Sequence, residues 1–136
     1  MNPHTDRLIA ALNERSALIG VVGLGYVGLP LALRFAEAGL RVIGFDIDPE
    51  KPRKLAAGQS YINYIPESAI AAAYAAGFSA TTDFTAAREA DALIICVPTP
   101  LNRHREPDLS YVLDTARELS RHLRPGQLIS LESTTY

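Results

Sequence analysis

The chain has 136 residues, 48% of them hydrophobic, with a formal net charge of −2. That length supports one core and one domain, and the charge provides no electrostatic drive towards nucleic acid or an anionic membrane, so neither is an expected partner. No apolar run approaches the ~20 residues of a membrane span, and Met1 to Asp6 lacks the basic and apolar regions of a signal peptide, so a cytoplasmic protein is expected.

Thr5 to Arg15 reads as a short amphipathic helix with Leu8, Ile9 and Leu12 on one face. Leu18 to Val22 is a first strand, Leu29 to Ala38 a helix and Arg41 to Phe45 a second strand. Pro49 opens a helix carrying Leu55 and ending near Gly58, Pro52 being tolerated in its first turn. Gln59 to Pro66 reads as a loop and Glu67 to Ala76 as an alanine-rich helix closed by Gly77. Ser79 to Thr82 is a short third strand and Phe84 to Ala90 a short helix. Asp91 to Val97 is nearly continuous in apolar residues, the pattern of a central parallel strand covered on both faces, and Pro98-Thr99-Pro100 ends it. A helix starts at Asp108 or Ser110 and runs through Leu123, Pro125-Gly126 turns the chain, and Gln127 to Leu131 is a fifth strand. This alternation predicts an α/β fold: a Rossmann-type doubly wound parallel sheet in three αβα layers, with its ligand at the carboxyl ends of the strands. Residues 1–16 are then an N-terminal helix and 17–136 the Rossmann domain.

The segment between the first strand and the second helix carries the most specific signal. Gly23-Leu24-Gly25-Tyr26-Val27-Gly28 is a G-x-G-x-x-G, and Asp46 ends the next strand 18 residues after Gly28. Gly23 permits a tight turn, Gly25 lets the backbone approach a pyrophosphate, and Gly28 lets the helix lie close on the strand. The unpaired amides of the first helical turn then face the phosphates. Asp46 would accept hydrogen bonds from both hydroxyls of the adenine ribose and repel a 2′-phosphate, which favours NAD over NADP. Lys51 and Arg53 read as a solvated helix face, with Lys51 covering the adenosine edge. The single cysteine, Cys96, lies within an apolar strand and reads as a core thiol, not a nucleophile. His4, His104 and His122 show no ligand spacing, so no metal site is expected.

Four motifs in order, Gly23 to Pro30, Gly44-Phe45-Asp46-Ile47-Asp48, Val97-Pro98-Thr99-Pro100 and Glu132-Ser133-Thr134-Thr135, resemble the nucleotide-sugar 6-dehydrogenases from Ala17 onward. Tyr61-Ile62-Asn63-Tyr64-Ile65-Pro66 and the segment Pro100 to Tyr111 look most like the UDP-N-acetylglucosamine branch. The resemblance implies oxidation of a sugar C6 alcohol to a carboxylate with two NAD+, through a cysteine-bound thiohemiacetal, by an enzyme that is a homodimer at full length. It places Gly23, Leu24, Gly25, Tyr26, Val27, Gly28, Asp46, Lys51, Val97, Pro98, Thr99, Ser133 and Thr134 at the cofactor. Thr134 matches the threonine that positions the hydrolytic water, a task suited to a hydroxyl that both donates and accepts; read without the motif, it caps a strand end. Glu132 is a candidate general base, or else a carboxylate orienting Ser133 or backbone amides.

The family's nucleophilic cysteine, its lysine and asparagine, and its uridine pocket lie downstream of the last motif, while this chain ends at Tyr136. The expectation is a cofactor-binding portion that holds NAD, lacks the substrate domain and does not turn over a UDP-sugar. A freestanding NAD-sensing module uses the same fold, but has no evident need for the two later motifs. A β-hydroxyacid dehydrogenase shares the glycine loop and fits those motifs less well. Arg103-His104-Arg105 reads as a solvated loop, or else as a contact to the substrate's diphosphate or a neighbouring subunit.

Overall fold

Asn2 starts the first helix: its side-chain oxygen accepts the N–H of His4 at 2.9 Å, and α1 runs over Pro3–Asn13, Pro3 standing where a missing N–H costs nothing. The computed structural model describes residues 2–132. Leu8, Ala11 and Leu12 turn inward on α1, the i, i+3, i+4 stripe of a helix lying on a core. Ile9 departs from the expected face: it is 53% exposed, because it lies one position round the helix from that stripe.

Five strands follow, β1 (Leu18–Val22), β2 (Arg41–Phe45), β3 (Ser79–Thr81), β4 (Ala92–Ile95) and β5 (Leu128–Leu131). All pair in parallel, in the order β3-β2-β1-β4-β5. The order reverses between β1 and β4, and ligands of open parallel sheets bind at such a switch point. Their register levels the strand ends, since Thr81 pairs with Phe45, Phe45 with Val22, Val22 with Ile95 and Ile95 with Leu131.

Alternate side chains of each strand enter opposite cores. On one face Ile19, Val21 and Val42 pack with Leu29, Ala32 and Ala36 of α2 (Gly28–Glu37), Leu55 of α3 (Glu50–Ala56), and Ile70 and Ala73 of α4 (Glu67–Ala75). On the other, Val22, Phe45, Leu93 and Ile95 pack with Phe84 and Ala87 of a 3₁₀ turn (Phe84–Glu89) and Leu119 of α5 (Ser110–Ser120). These are the three layers expected of a Rossmann-type α/β fold. No helix of the described residues is long and apolar enough to cross a membrane.

Several elements are shorter than their sequence pattern. The expected helix at Phe84 is a 3₁₀ turn, started by Asp83 accepting from the Thr85 N–H at 3.0 Å. β4 stops at Ile95, although the apolar run reaches Val97, because Val22 and Leu131 end its partners there. α5 begins at Ser110, whose N–H is held by the Asp108 carboxylate at 2.9 Å, and ends at Ser120, short of Leu123. β5 is apolar, yet Leu128, Ile129 and Leu131 are 42–48% exposed at the edge of the sheet.

This layering sets where truncation is felt. Leu93→Ala, at a fully buried side chain, is expected to cost about 2–5 kcal/mol. Ile9→Ala is expected to stay within about 0.5 kcal/mol. Urea denaturation of both variants measures the contrast.

Candidate functional site

The parallel ladder continues one residue past the strand ends. Asp46 donates its N–H to Thr81 O at 3.2 Å, Gly23 to Phe45 O at 2.7 Å, Cys96 to Val22 O at 2.7 Å and Glu132 to Ile95 O at 2.9 Å. Gly23, Asp46, Cys96 and Glu132 therefore emerge in one row along the carboxyl edge, and all four line a cleft of about 1110 Å³.

Each glycine of the turn meets a different constraint. Gly23 sits at φ 95°, where a side chain is strained, and a Cβ there would lie 2.8 Å from Cys96 O. A Cβ on Gly28 would lie 1.6 Å from Gly23 O, so the first turn of α2 closes directly on the turn that precedes it. A Cβ on Gly25 would meet nothing within 4 Å. Two glycines are thus required by the fold, while the third leaves open space in the cleft wall.

Asp46 is 7% exposed and its carboxylate is already engaged. Oδ2 accepts the N–H of Leu24 at 2.9 Å and faces Lys51 Nζ at 3.4 Å, while Oδ1 accepts the N–H of Asp48 at 2.9 Å. A carboxylate offers about four acceptor positions, so these three partners orient it without exhausting it. Of the two basic residues on that helix face, Lys51 is the one turned to the cleft. It lines the cleft and pairs with Asp46, whereas Arg53 is exposed and pairs with Glu50.

The opposite wall carries Val97, Pro98 and Thr99. Cys96 lies beneath the turn, buried, and burial together with the charge of Glu132 pushes its thiol above the ordinary cysteine range. It is a protonated packing group. Glu132 lines the cleft at the end of β5, its carboxylate accepting from the Ser130 hydroxyl. Ser133 and Thr134 lie outside the described residues. Arg103-His104-Arg105 forms an exposed turn, closed by the bridge between Leu101 and Pro107 and by Asn102 Oδ1 accepting from the N–H groups of His104 and Glu106. None of those three basic residues lines the cleft.

Other lining residues have no place in the sequence reading. Thr82 and Phe84 follow β3, whose carboxyl end also faces the crevice, and that rule could have found them. Ser110, Asp114 and Glu118 present one face of α5, and their i, i+4, i+8 spacing was the available signal. Tyr61 and Tyr64 donate their hydroxyls to the carbonyls of Leu24 and Tyr26, joining the 59–66 segment to the glycine turn.

Residues 17–136 match the NAD binding domain of the UDP-glucose/GDP-mannose dehydrogenase family. The chain belongs to that family. It is 40% identical over 121 residues to UDP-N-acetyl-D-mannosamine dehydrogenase of Escherichia coli (strain K12), covering 88% of this chain and 28% of that protein. It is 33% identical over 118 residues to UDP-N-acetyl-D-glucosamine 6-dehydrogenase of Pseudomonas aeruginosa, covering 87% and 27%. The crystal structure of a ternary complex of GDP-mannose dehydrogenase from Pseudomonas aeruginosa superposes with a TM-score of 0.80 at 31% identity, over 86% of this chain and 28% of that one. The chain thus spans less than a third of the length of these relatives. The family's cofactor fits the described residues: Gly25 leaves the approach a diphosphate needs, and Asp46 keeps acceptor capacity beside it.

The glycine geometry separates fold from ligand. Gly28→Ala is expected to destabilise the domain by about 3 kcal/mol, since a backbone oxygen stands where the methyl would go. Gly25→Ala is expected to change stability by less than about 0.5 kcal/mol. Thermal melts of the two variants without ligand distinguish them.

Proposed function

We propose that this chain is the cofactor-binding portion of an enzyme that oxidises the C6 alcohol of a UDP-sugar to a carboxylate with NAD+, and that residues 17–136 act as that unit. The observation that carries the reading is Asp46, buried at the end of β2 and bonded to the backbone of a glycine turn whose middle glycine faces open space. Bound NAD would supply the hydride acceptor. The amides of Gly25, Tyr26, Val27 and Gly28 would meet its diphosphate, aided by the positive end of α2, while those of Gly23 and Leu24, held by Phe45 O and Asp46 Oδ2, would fix the turn beside it. Asp46 would receive the ribose hydroxyls, and Lys51 would keep that carboxylate aimed. Val97, Pro98, Thr99 and Ser133 would close the far wall. Thr134 would position a hydrolytic water, and Glu132 would serve as a base at the same edge.

The motifs at Tyr61 to Pro66 and Pro100 to Tyr111 support UDP-N-acetylglucosamine as the sugar nucleotide. A second reading, UDP-N-acetylmannosamine, is favoured by the 40% identity to the Escherichia coli enzyme. The assembly proposed is a homodimer of a protein that also carries a substrate domain, located in the cytoplasm. Profiling such a protein against UDP-N-acetylglucosamine, UDP-N-acetylmannosamine and UDP-glucose decides among the sugars.

Asp46→Ala is expected to weaken NAD binding by about 1–3 kcal/mol, the cost of removing a buried charged acceptor from its donors, and to narrow the preference for NAD over NADP. Calorimetry measures both, and an unchanged NAD affinity would argue against the ribose assignment. The 136-residue chain is expected to bind NAD without reducing it in the presence of UDP-sugars. Sustained growth of absorbance from NADH would refute that expectation.

A further inference from the structure

We infer that Tyr61 and Tyr64 are positioning residues for the cofactor's diphosphate: their hydroxyls hold the Leu24 and Tyr26 carbonyls and so aim the N–H groups of Gly25 and Val27 at it. The inference rests on the NAD reading above.

Tyr61-Ile62 and Tyr64-Ile65 repeat at a spacing of three in the sequence. The segment is a turn, with the Ile65 N–H donating to Ile62 O at 3.0 Å and the Ser60 hydroxyl donating to the same carbonyl at 2.9 Å. Each isoleucine enters the core, Ile62 at 2% and Ile65 at 7% exposure. Each tyrosine reaches the glycine turn instead, Tyr64 donating to Tyr26 O at 3.1 Å and Tyr61 to Leu24 O. The strap is anchored from below by two apolar side chains and grips the turn with two phenols.

Packing fixes Leu24, whose side chain is fully buried, but not the residues that follow it in the turn. Gly25 has no side chain, and those of Tyr26 and Val27 are 74% and 59% exposed. A peptide is planar and trans, so fixing the carbonyl of Leu24 sends the N–H of Gly25 the opposite way, and fixing the carbonyl of Tyr26 does the same for Val27. A flipped peptide would present a carbonyl lone pair to a phosphate oxygen. Residue 24 is held on both sides, its N–H by Asp46 at 2.9 Å and its C=O by Tyr61. Burial and the negative charges of Asp46 and Asp48 hold the Tyr61 hydroxyl well above the ordinary tyrosine range, so it stays a donor. With both peptides fixed beforehand, binding need not order them.

The test compares Tyr61→Phe, Tyr64→Phe and the double variant with the unaltered chain, titrating NAD, ADP and adenosine by NMR alongside thermal melts. Each lost hydroxyl is expected to weaken NAD and ADP about 2- to 10-fold, the range for one net hydrogen bond, and to leave adenosine, which has no phosphate, unchanged. Unchanged NAD affinity in both single variants overturns the proposal, and so does adenosine weakened as much as ADP, the mark of a merely structural role. Tyr64 is 64% exposed, so Tyr64→Phe remains a fair test even where Tyr61→Phe fails to fold. An unaltered chain that binds no NAD would instead overturn the reading on which the proposal rests.

Discussion

Four backbone hydrogen bonds at the carboxyl edge of the sheet hold the site together. Each residue leaving a strand donates its N–H to the last carbonyl of the neighbouring strand, from Asp46 on Thr81 to Glu132 on Ile95. Gly23, Asp46, Cys96 and Glu132 consequently occupy one row, although they are far apart in sequence. A register slip of one residue in β2 would send Asp46 to the other side of the sheet and break its bond to Leu24, since strand side chains alternate.

On that row, a buried carboxylate does two jobs at once. Isolated burial of a charge is costly, and Asp46 avoids the cost through the N–H groups of Leu24 and Asp48 and the ammonium of Lys51. The same bonds tie the end of β2 to the glycine turn, so the acceptor proposed for a ribose and the amides proposed for a diphosphate are spaced by one structural unit. Cys96 completes the floor as a thiol that burial keeps protonated.

The fold was largely legible. Apolar runs bounded by Gly23, Pro98 and Gly126 announced strands, and a nearly continuous run at Leu93 to Val97 announced a central one covered on both faces. Errors fell at ends and faces. Ile9 was misplaced because hydrophobicity alone does not say where a helix stripe is centred, and β4 stopped early because its length is set by its neighbours'. In the cleft, the glycines and Asp46 stood out because steric and charge requirements restrict those positions to few residue types. Lys51 stood out only through the motif resemblance, and the strap tyrosines carried no site role, since lysines and tyrosines in polar segments usually face solvent.

By itself the sequence determined the alternation of strands and helices, the turn that only glycine can make at Gly23, and an acid at the end of β2. Those are local matters of backbone freedom and hydrophobic period. Only the tertiary structure decided that Lys51 faces Asp46, that Tyr61 and Tyr64 grip the glycine turn from 37 and 38 residues away, and that Thr82, Phe84 and α5 share the same cleft. Such contacts depend on strand register and on the height at which each loop crosses the sheet edge, and no short window of sequence carries that information.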